Sequence, residues 1–231
     1  MSNQEKRVIA NYSLKYLPKK GVVGIGSGST VNIFLEEIYN KDVDLSELVF
    51  VPGSLQTLNK MISFDLNYSV VIPPEGISIV FDGADYWTSK GDLIKGGGGA
   101  LYREKLLFYN SQQIVVMAGK SKQVPVIGGP DLYVPIEVPF FSLYPLMRFL
   151  KESFNAEPVI RTDNRGNPFK TDNNNLIVDT YFKEPIKDPF SLNEILKRRP
   201  EVICTGIFSG FKNMLLVTTN HDNSVIERSF T

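Results

Sequence analysis

Short apolar runs separated by amphipathic stretches of helical spacing fill the first half of this chain, and that alternation restricts its fold more than any other feature. Residues 4–17 read as a helix, with Val8, Ile9 and Tyr12 at helical spacing. Residues 22–25 read as a short buried strand, 30–39 as a helix, and 48–51 as a strand ended by Pro52-Gly53. Ser54 is placed to cap a helix running to about residue 62. A strand at 77–81, a helix at 100–110 and a strand at 114–117 continue the series. Strands separated by helices predict a parallel sheet with helices on both faces.

The pattern changes after Gly128-Gly129-Pro130. Strand 132–138, helix 142–154, strand 158–162, strand 176–182, helix 189–197 and strand 202–208 follow in order, with a polar loop at 163–175. Strand–helix–strand–strand–helix–strand is the order of a split βαβ unit of ferredoxin type. The last apolar run, 214–217, is expected to return to the first sheet.

Charge and rare residues narrow the function. Lys plus Arg (25) balances Asp plus Glu (25), so wholesale binding to nucleic acid is disfavoured. The single cysteine, Cys204, has no second thiol in the chain to pair with, which points to a reducing compartment. The single histidine, His221, sits in a polar stretch that reads as a solvated turn, so neither a Cys/His zinc site nor a serine triad is expected. The first seven residues are polar and no apolar run reaches the roughly 18–20 residues needed to span a bilayer. The expectation is a soluble, cytoplasmic protein with no metal, no cofactor, no nucleic-acid partner and no membrane partner.

Three stretches carry chemistry. Gly24-Ile-Gly26-Ser27-Gly28-Ser29-Thr30 follows a strand and opens a helix. Its glycines let the backbone turn tightly, and the helix N-terminus offers unpaired N–H groups and partial positive charge to a phosphate. No Gly-Lys-Ser/Thr follows, so it is not a P-loop, and Ser29 stands where a dinucleotide fingerprint needs its third glycine. A glycine-rich turn with a helix cap would need no ligand. Asp82-Gly83-Ala84-Asp85 lies at the carboxyl end of a strand, where parallel sheets bind ligands, and its acids can exchange protons with sugar hydroxyls; an ordinary turn has the same composition. Lys95-Gly96-Gly97-Gly98-Gly99-Ala100-Leu101-Tyr102-Arg103-Glu104-Lys105 is the most informative. Four glycines before a helix expose backbone donors where negative charge can develop, Lys95 adds a cation, and Glu104 follows about a turn into the helix. Moving a carbonyl between C1 and C2 of a sugar requires a base for the proton alpha to it and donors for the enediolate oxygens. Glu104 suits the first task, Lys95 and the glycine amides the second.

Gly-Ser-Gly-Ser-Thr (26–30), Asp-Gly-Ala-Asp (82–85), Lys-Gly-Gly-Gly-Gly-Ala-Leu (95–101), Arg-Glu-Lys (103–105) and Ser-Lys-Gln (121–123) occur in this order, and together the chain resembles the A-type ribose-5-phosphate isomerases over nearly its whole length. The resemblance implies an α/β fold: a Rossmann-like parallel-sheet domain, here 1–128 plus 206–231, carrying the site, and a smaller ferredoxin-like α+β domain, here 129–205. It implies a metal-independent aldose–ketose isomerase of the non-oxidative pentose phosphate pathway, acting on ribose 5-phosphate and ribulose 5-phosphate and assembled as a homo-oligomer, dimer or tetramer. By that resemblance Glu104 is the general base, Asp82 and Asp85 contact sugar hydroxyls and open the ring, and Lys95 binds the reacting oxygens. Ser27, Gly28, Ser29 and Thr30 would bind the substrate through its phosphate. Gly83, Ala84, Gly96, Gly97, Gly98, Lys122 and, from the first helix, Lys6 would complete the contacts.

The chain departs from the family pattern at Tyr86-Trp87, where an acid is usual, at Asn173-Asn174-Asn175 in place of Asn-Gly-Asn, and at Glu201, where glycine is common. Three other functions fit parts of the sequence. A sugar-phosphate sensor needs the 26–30 loop but not the acids. An aldolase would use Lys95 to form a Schiff base. A CoA transferase would need a glutamate that forms a thioester.

Overall fold

Val22, Val23 and Ile25 are apolar on both faces of one short segment, and only a strand covered on both sides can bury them all. The computed structural model describes residues 1–41, 43–220 and 224–231; the expectation for His221 lies outside them. In chain order the elements are α1 (Asn3–Ser13), β1 (Gly21–Ile25), α2 (Ser29–Asn40), β2 (Leu48–Pro52), α3 (Leu55–Ser63), β3 (Ile77–Asp82), β4 (Tyr86–Trp87), β5 (Leu93–Ile94), α4 (Leu101–Tyr109) and β6 (Ser111–Met117). There follow β7 (Val134–Val138), α5 (Leu143–Phe154), β8 (Glu157–Ile160), β9 (Leu176–Tyr181), α6 (Pro189–Lys197), β10 (Cys204–Thr205), β11 (Ile207–Phe208), β12 (Met214–Thr219) and β13 (Val225–Phe230).

The chain forms two compact units: Met1–Ala84, Arg103–Gln123 and Phe211–Thr231 make the first, Asp85–Tyr102 and Val124–Gly210 the second. Residues 85–102, 124–128 and 206–210, which the sequence grouped with the first domain, thus pack with the second. Their strands explain this: β5 pairs with β4 on one side and β11 on the other, not with the large sheet.

In the first unit a six-stranded sheet has the order β13-β12-β6-β3-β1-β2. All neighbouring pairs from β12 to β2 are parallel, and β13 closes one edge antiparallel to β12. This is the expected Rossmann-like layer, and the 214–217 run does return to it as β12. Ile9, Phe34, Phe50, Phe81, Met117 and Val217 lie in its core, with the Phe34 and Phe81 rings stacked at 4.5 Å. Ser54 caps α3 as expected, accepting the Thr57 N–H at 3.0 Å. α1 is shorter than predicted: Ser2 caps its start, and residues 14–16 tighten into a 3₁₀ turn. Strand β13 escaped the sequence reading because it is an edge strand carrying Glu227 and Arg228 among half-buried positions.

The second unit has a four-stranded antiparallel sheet of order β10-β7-β9-β8, with α5 and α6 as its crossovers, the ferredoxin-like arrangement. Val134, Ile136, Leu146, Leu150, Val178 and Leu196 fill its core. The single strand predicted at 202–208 is in fact two. Gly206 donates its N–H to the Pro135 carbonyl at 2.6 Å and accepts the Lys95 N–H at 2.9 Å, passing the chain from the four-stranded sheet to the three-stranded one. A Cβ there would meet the Lys95 carbonyl oxygen at 2.3 Å, so only glycine fits.

Candidate active site

In the first unit the site is built at the carboxyl ends of β1 and β3. The chain leaves β1 at Gly26 and passes over the end of β3, where Asp82 is fully buried. A Cβ on Gly26 would stand 1.9 Å from the Asp82 carboxylate carbon, so this glycine makes the room that the acid occupies. Asp82 Oδ1 accepts the N–H groups of Gly83 at 2.7 Å and Ser27 at 3.2 Å. The turn is held from behind by Thr57, whose hydroxyl donates to the Gly26 carbonyl at 2.7 Å, and by the Gly53 N–H on the Ile25 carbonyl at 2.7 Å.

Ser27 then links two acids. Its backbone N–H serves Asp82, and its hydroxyl donates to Glu104 Oε1 at 2.6 Å. Glu104 lies in the first turn of α4 and is 3 % exposed. Asp82 and Glu104, 22 positions apart in sequence, therefore share a single serine as a partner. Gly28 caps α2 with φ 98°, a left-handed conformation that favours glycine, and a Cβ there would meet nothing within 4 Å. Gly28 and Ser29 are exposed and Thr30 is buried at the first turn of α2, whose leading N–H groups have no acceptor within the helix. Lys122, at the end of a 3₁₀ turn, donates its Nζ to the carbonyl of buried Ala84. Lys6 lies half-buried on α1 and, among the described residues, makes no side-chain hydrogen bond or ion pair with the other candidates.

The second unit carries the other predicted groups. Asp85 Oδ2 accepts the Gly97 N–H at 2.7 Å, and the Asp85 N–H is tied to the Ile94 carbonyl at 2.8 Å. Lys95 is 3 % exposed, with Nζ 5.6 Å from the centroid of the Phe208 ring. The glycine run is a tight turn: the Gly99 N–H donates to the Gly96 carbonyl at 3.0 Å, and Gly96 and Gly99 have φ of 109° and 82°. Gly97 and Gly98 are exposed at its tip.

Residues that the sequence did not single out support this turn. Arg161 donates to the carbonyls of Gly96 at 2.6 Å and Gly97 at 3.1 Å. The Phe169 ring lies where a Cβ on Gly99 would come within 2.4 Å of it. Arg161 sits at the end of a predicted strand with no motif around it, and Thr57 looks like any helix residue. Neither carries a local signal.

The departures from the family pattern have structural explanations. Tyr86-Trp87 forms β4, with Trp87 fully buried. Asn174, in the place of the usual glycine, has φ 61°, a left-handed conformation that asparagine tolerates better than most residues, while Asn175 and Thr171 each donate to buried Glu137 Oε1 at 2.9 Å. Glu201 pairs with Arg199 at 2.6 Å, and that hydrogen bond holds its carboxyl below the usual range. Among the described residues no group of three or more His, Cys, Asp or Glu is arranged to hold a metal ion, and no helix is long and apolar enough to cross a membrane.

Comparison with known proteins converges on one family. The family model described as ribose 5-phosphate isomerase A (phosphoriboisomerase A) matches residues 49–222. Ribose-5-phosphate isomerase A of Korarchaeum cryptofilum is 36 % identical over 98 % of both chains. The ribose 5-phosphate isomerase structure from Plasmodium falciparum superposes with a TM-score of 0.91 at 31 % identity, over 99 % of each chain. A D-ribose-5-phosphate isomerase in complex with phospho-erythronic acid also superposes at 0.91, with 29 % identity, over 99 % of this chain and 100 % of that one. With the Asp82–Ser27–Glu104 linkage and the glycine turn already in place, these matches settle the relationship: the chain belongs to the ribose 5-phosphate isomerase A family.

Proposed function

We infer that this protein interconverts D-ribose 5-phosphate and D-ribulose 5-phosphate by proton transfer through an enediolate, as part of the non-oxidative pentose phosphate pathway. The observation that carries the reading is Glu104, a carboxylate almost completely withdrawn from water and oriented by the Ser27 hydroxyl, in a chain of this family. Burial and a fixed hydrogen bond orient a carboxylate to accept a proton at one place.

In the forward direction Asp82, with Asp85, takes the proton from the anomeric hydroxyl and returns one to the ring oxygen, opening the sugar to its aldehyde. Glu104 removes the proton from C2. The C2–H electron pair forms the C1–C2 double bond, and the carbonyl electrons pass to the C1 oxygen, giving the enediolate. Lys95 and the amides of the 96–98 glycines stabilise that oxygen. Glu104 then returns its proton to C1 while the proton on O2 passes to O1, so that C2 becomes the ketone and C1 carries the hydroxyl. The first turn of α2, with Ser27, Ser29 and Thr30, binds the phosphate through N–H groups, hydroxyls and the helix dipole. Gly83, Ala84, Lys122 and Lys6 are further candidate contacts to the substrate, with Lys122 fixed on the Ala84 carbonyl.

Phospho-erythronic acid, the compound held by the similar isomerase, joins a phosphate to a carboxylate whose paired oxygens resemble the enediolate. It should inhibit this protein competitively. The homo-oligomeric state, dimer or tetramer, and the cytoplasmic location belong to the same proposal; sedimentation at micromolar concentration tests the first. The activity itself is tested by following ribulose 5-phosphate formation in the presence of excess EDTA. Sustained turnover supports the reading, and no turnover with or without divalent ions overturns it.

A further inference from the structure

Four consecutive glycines should wander among conformations, because each lacks a Cβ to restrict it. In the second unit this run does not stand alone. Arg161, only 10 % exposed in its side chain, directs one guanidinium nitrogen, Nη1, at the carbonyls of Gly96 and Gly97, at 2.6 and 3.1 Å. Its other two nitrogens hold Asp179 on β9: Nε on Oδ2 at 2.8 Å and Nη2 on Oδ1 at 2.5 Å. Tyr133 and Phe169 flank it, with ring centroids 5.6 and 5.9 Å from the guanidinium carbon. Burial pushes the Tyr133 hydroxyl up, so it stays neutral beside this pair.

The two carbonyls that Arg161 grips belong to the peptide units whose N–H groups are those of Gly97 and Gly98. A cation at a peptide oxygen fixes the plane of that unit and polarises its N–H. The Gly97 N–H is spent on Asp85. The Gly99 N–H is spent on the Gly96 carbonyl. The Gly98 N–H, on the exposed tip, makes no hydrogen bond among the described residues. The fork, anchored on Asp179, thereby holds one amide aligned with Asp85 and one open for a ligand oxygen.

We propose that Arg161 is a positioning residue for the isomerisation: anchored by Asp179, it locks and polarises the Gly96–Gly97 and Gly97–Gly98 peptides so that Asp85 is held and the Gly98 amide is preset for the developing enediolate oxygen. The proposal rests on the isomerase reading above. It adds a residue that touches no reacting atom but sets the donors that do. Only a planar fork serves both Asp179 and the glycine carbonyls, so lysine should not replace it despite equal charge.

The test compares the wild type with Arg161→Lys and Asp179→Asn, measuring kcat and KM for ribose 5-phosphate, melting temperature, and inhibition by two compounds. Phospho-erythronic acid presents a carboxylate to the oxygen-binding donors; ribitol 5-phosphate carries the phosphate but no such group. In Arg161→Lys, kcat should fall about 10-fold or more, since one preset donor is worth at least that, while KM changes less than about threefold. Inhibition by phospho-erythronic acid should weaken by a similar factor, and that by ribitol 5-phosphate should not change. Asp179→Asn should show the same pattern with smaller size. A folded Arg161→Lys protein with kcat within twofold of wild type overturns the proposal, as does equal weakening of both inhibitors. If Arg161→Lys does not fold, Asp179→Asn decides by the same criteria, and failure of both to fold reduces Arg161 to a structural residue and also overturns it. A wild type that cannot isomerise ribose 5-phosphate is a different result: it removes the functional reading itself, and this inference with it.

Discussion

Gly26 offers the most direct test of how the acid site is packed, because its α-carbon faces Asp82 with no space for a methyl group. Replacing it with alanine would place a Cβ 1.9 Å from the Asp82 carboxylate carbon and 2.0 and 2.3 Å from its oxygens. Real Cβ atoms essentially never come closer than 3.0 Å to another heavy atom, so the carboxylate or the turn must retreat by about 1 Å. Asp82 is fully buried, and its Oδ1 holds the Ser27 and Gly83 N–H groups, so it has no open direction to move without breaking those bonds. Overpacking of this kind costs about 1–3 kcal/mol, with about as much again if a charged hydrogen bond is lost. Displacement of a catalytic group by about 1 Å costs about 10²-fold in rate. Backbone strain is not a confounding factor, since Gly26 is not among the glycines of positive φ. The assay is kcat/KM for ribose 5-phosphate together with urea unfolding of Gly26→Ala. The expectation is a loss of about 10²-fold in kcat/KM and about 2–4 kcal/mol in stability. A variant within threefold of wild-type activity and within about 0.5 kcal/mol of its stability would refute the packing argument.

Other substitutions separate the remaining roles. Glu104→Gln keeps size and the ability to bond Ser27 but cannot take a proton, so kcat should fall about 10²–10⁴-fold, equivalent to about 3–5 kcal/mol of barrier, with little change in KM; a variant keeping half its turnover removes Glu104 from the base role. Gly28→Val forces a branched side chain into φ 98°, where sterics and not neighbours oppose it, and it should raise KM for ribose 5-phosphate in initial-rate assays. Unphosphorylated ribose should be a very poor substrate, because phosphate binding energy positions the reacting carbons; equal kcat/KM for the two sugars would mean that the α2 terminus has another purpose.

The motifs were legible because each is local. Glycine, serine and acid at short spacing after an apolar run identify the strand ends at 26–30 and 82–85 whatever surrounds them. Ser54 could be read as a cap for the same reason. The relation between Asp82 and Glu104 was less visible, since a serine from a third segment, Ser27, connects them. Long-range pairing hid the rest. The two-residue strands β4 and β5 have too little pattern to be seen, and the sheet change at Gly206 depends on Pro135 and Lys95, far off in sequence. Arg161 became meaningful only when β8 and β9 placed it beside the 96–99 turn. In sequence it is one cation at the edge of a polar loop.

Proton transfer by Glu104 is the central claim, and isotope incorporation tests it most directly. A carboxylic acid formed at Glu104 can exchange its proton with solvent before delivering it to C1. Ribulose 5-phosphate made from ribose 5-phosphate in D₂O should therefore carry deuterium at C1, in an amount set by solvent access to a side chain that is 3 % exposed. Partial labelling fits the account, because a buried acid exchanges slowly. Complete absence of deuterium over many turnovers, with the C2 hydrogen of the substrate recovered quantitatively at C1, would mean a hydride shift and would contradict it.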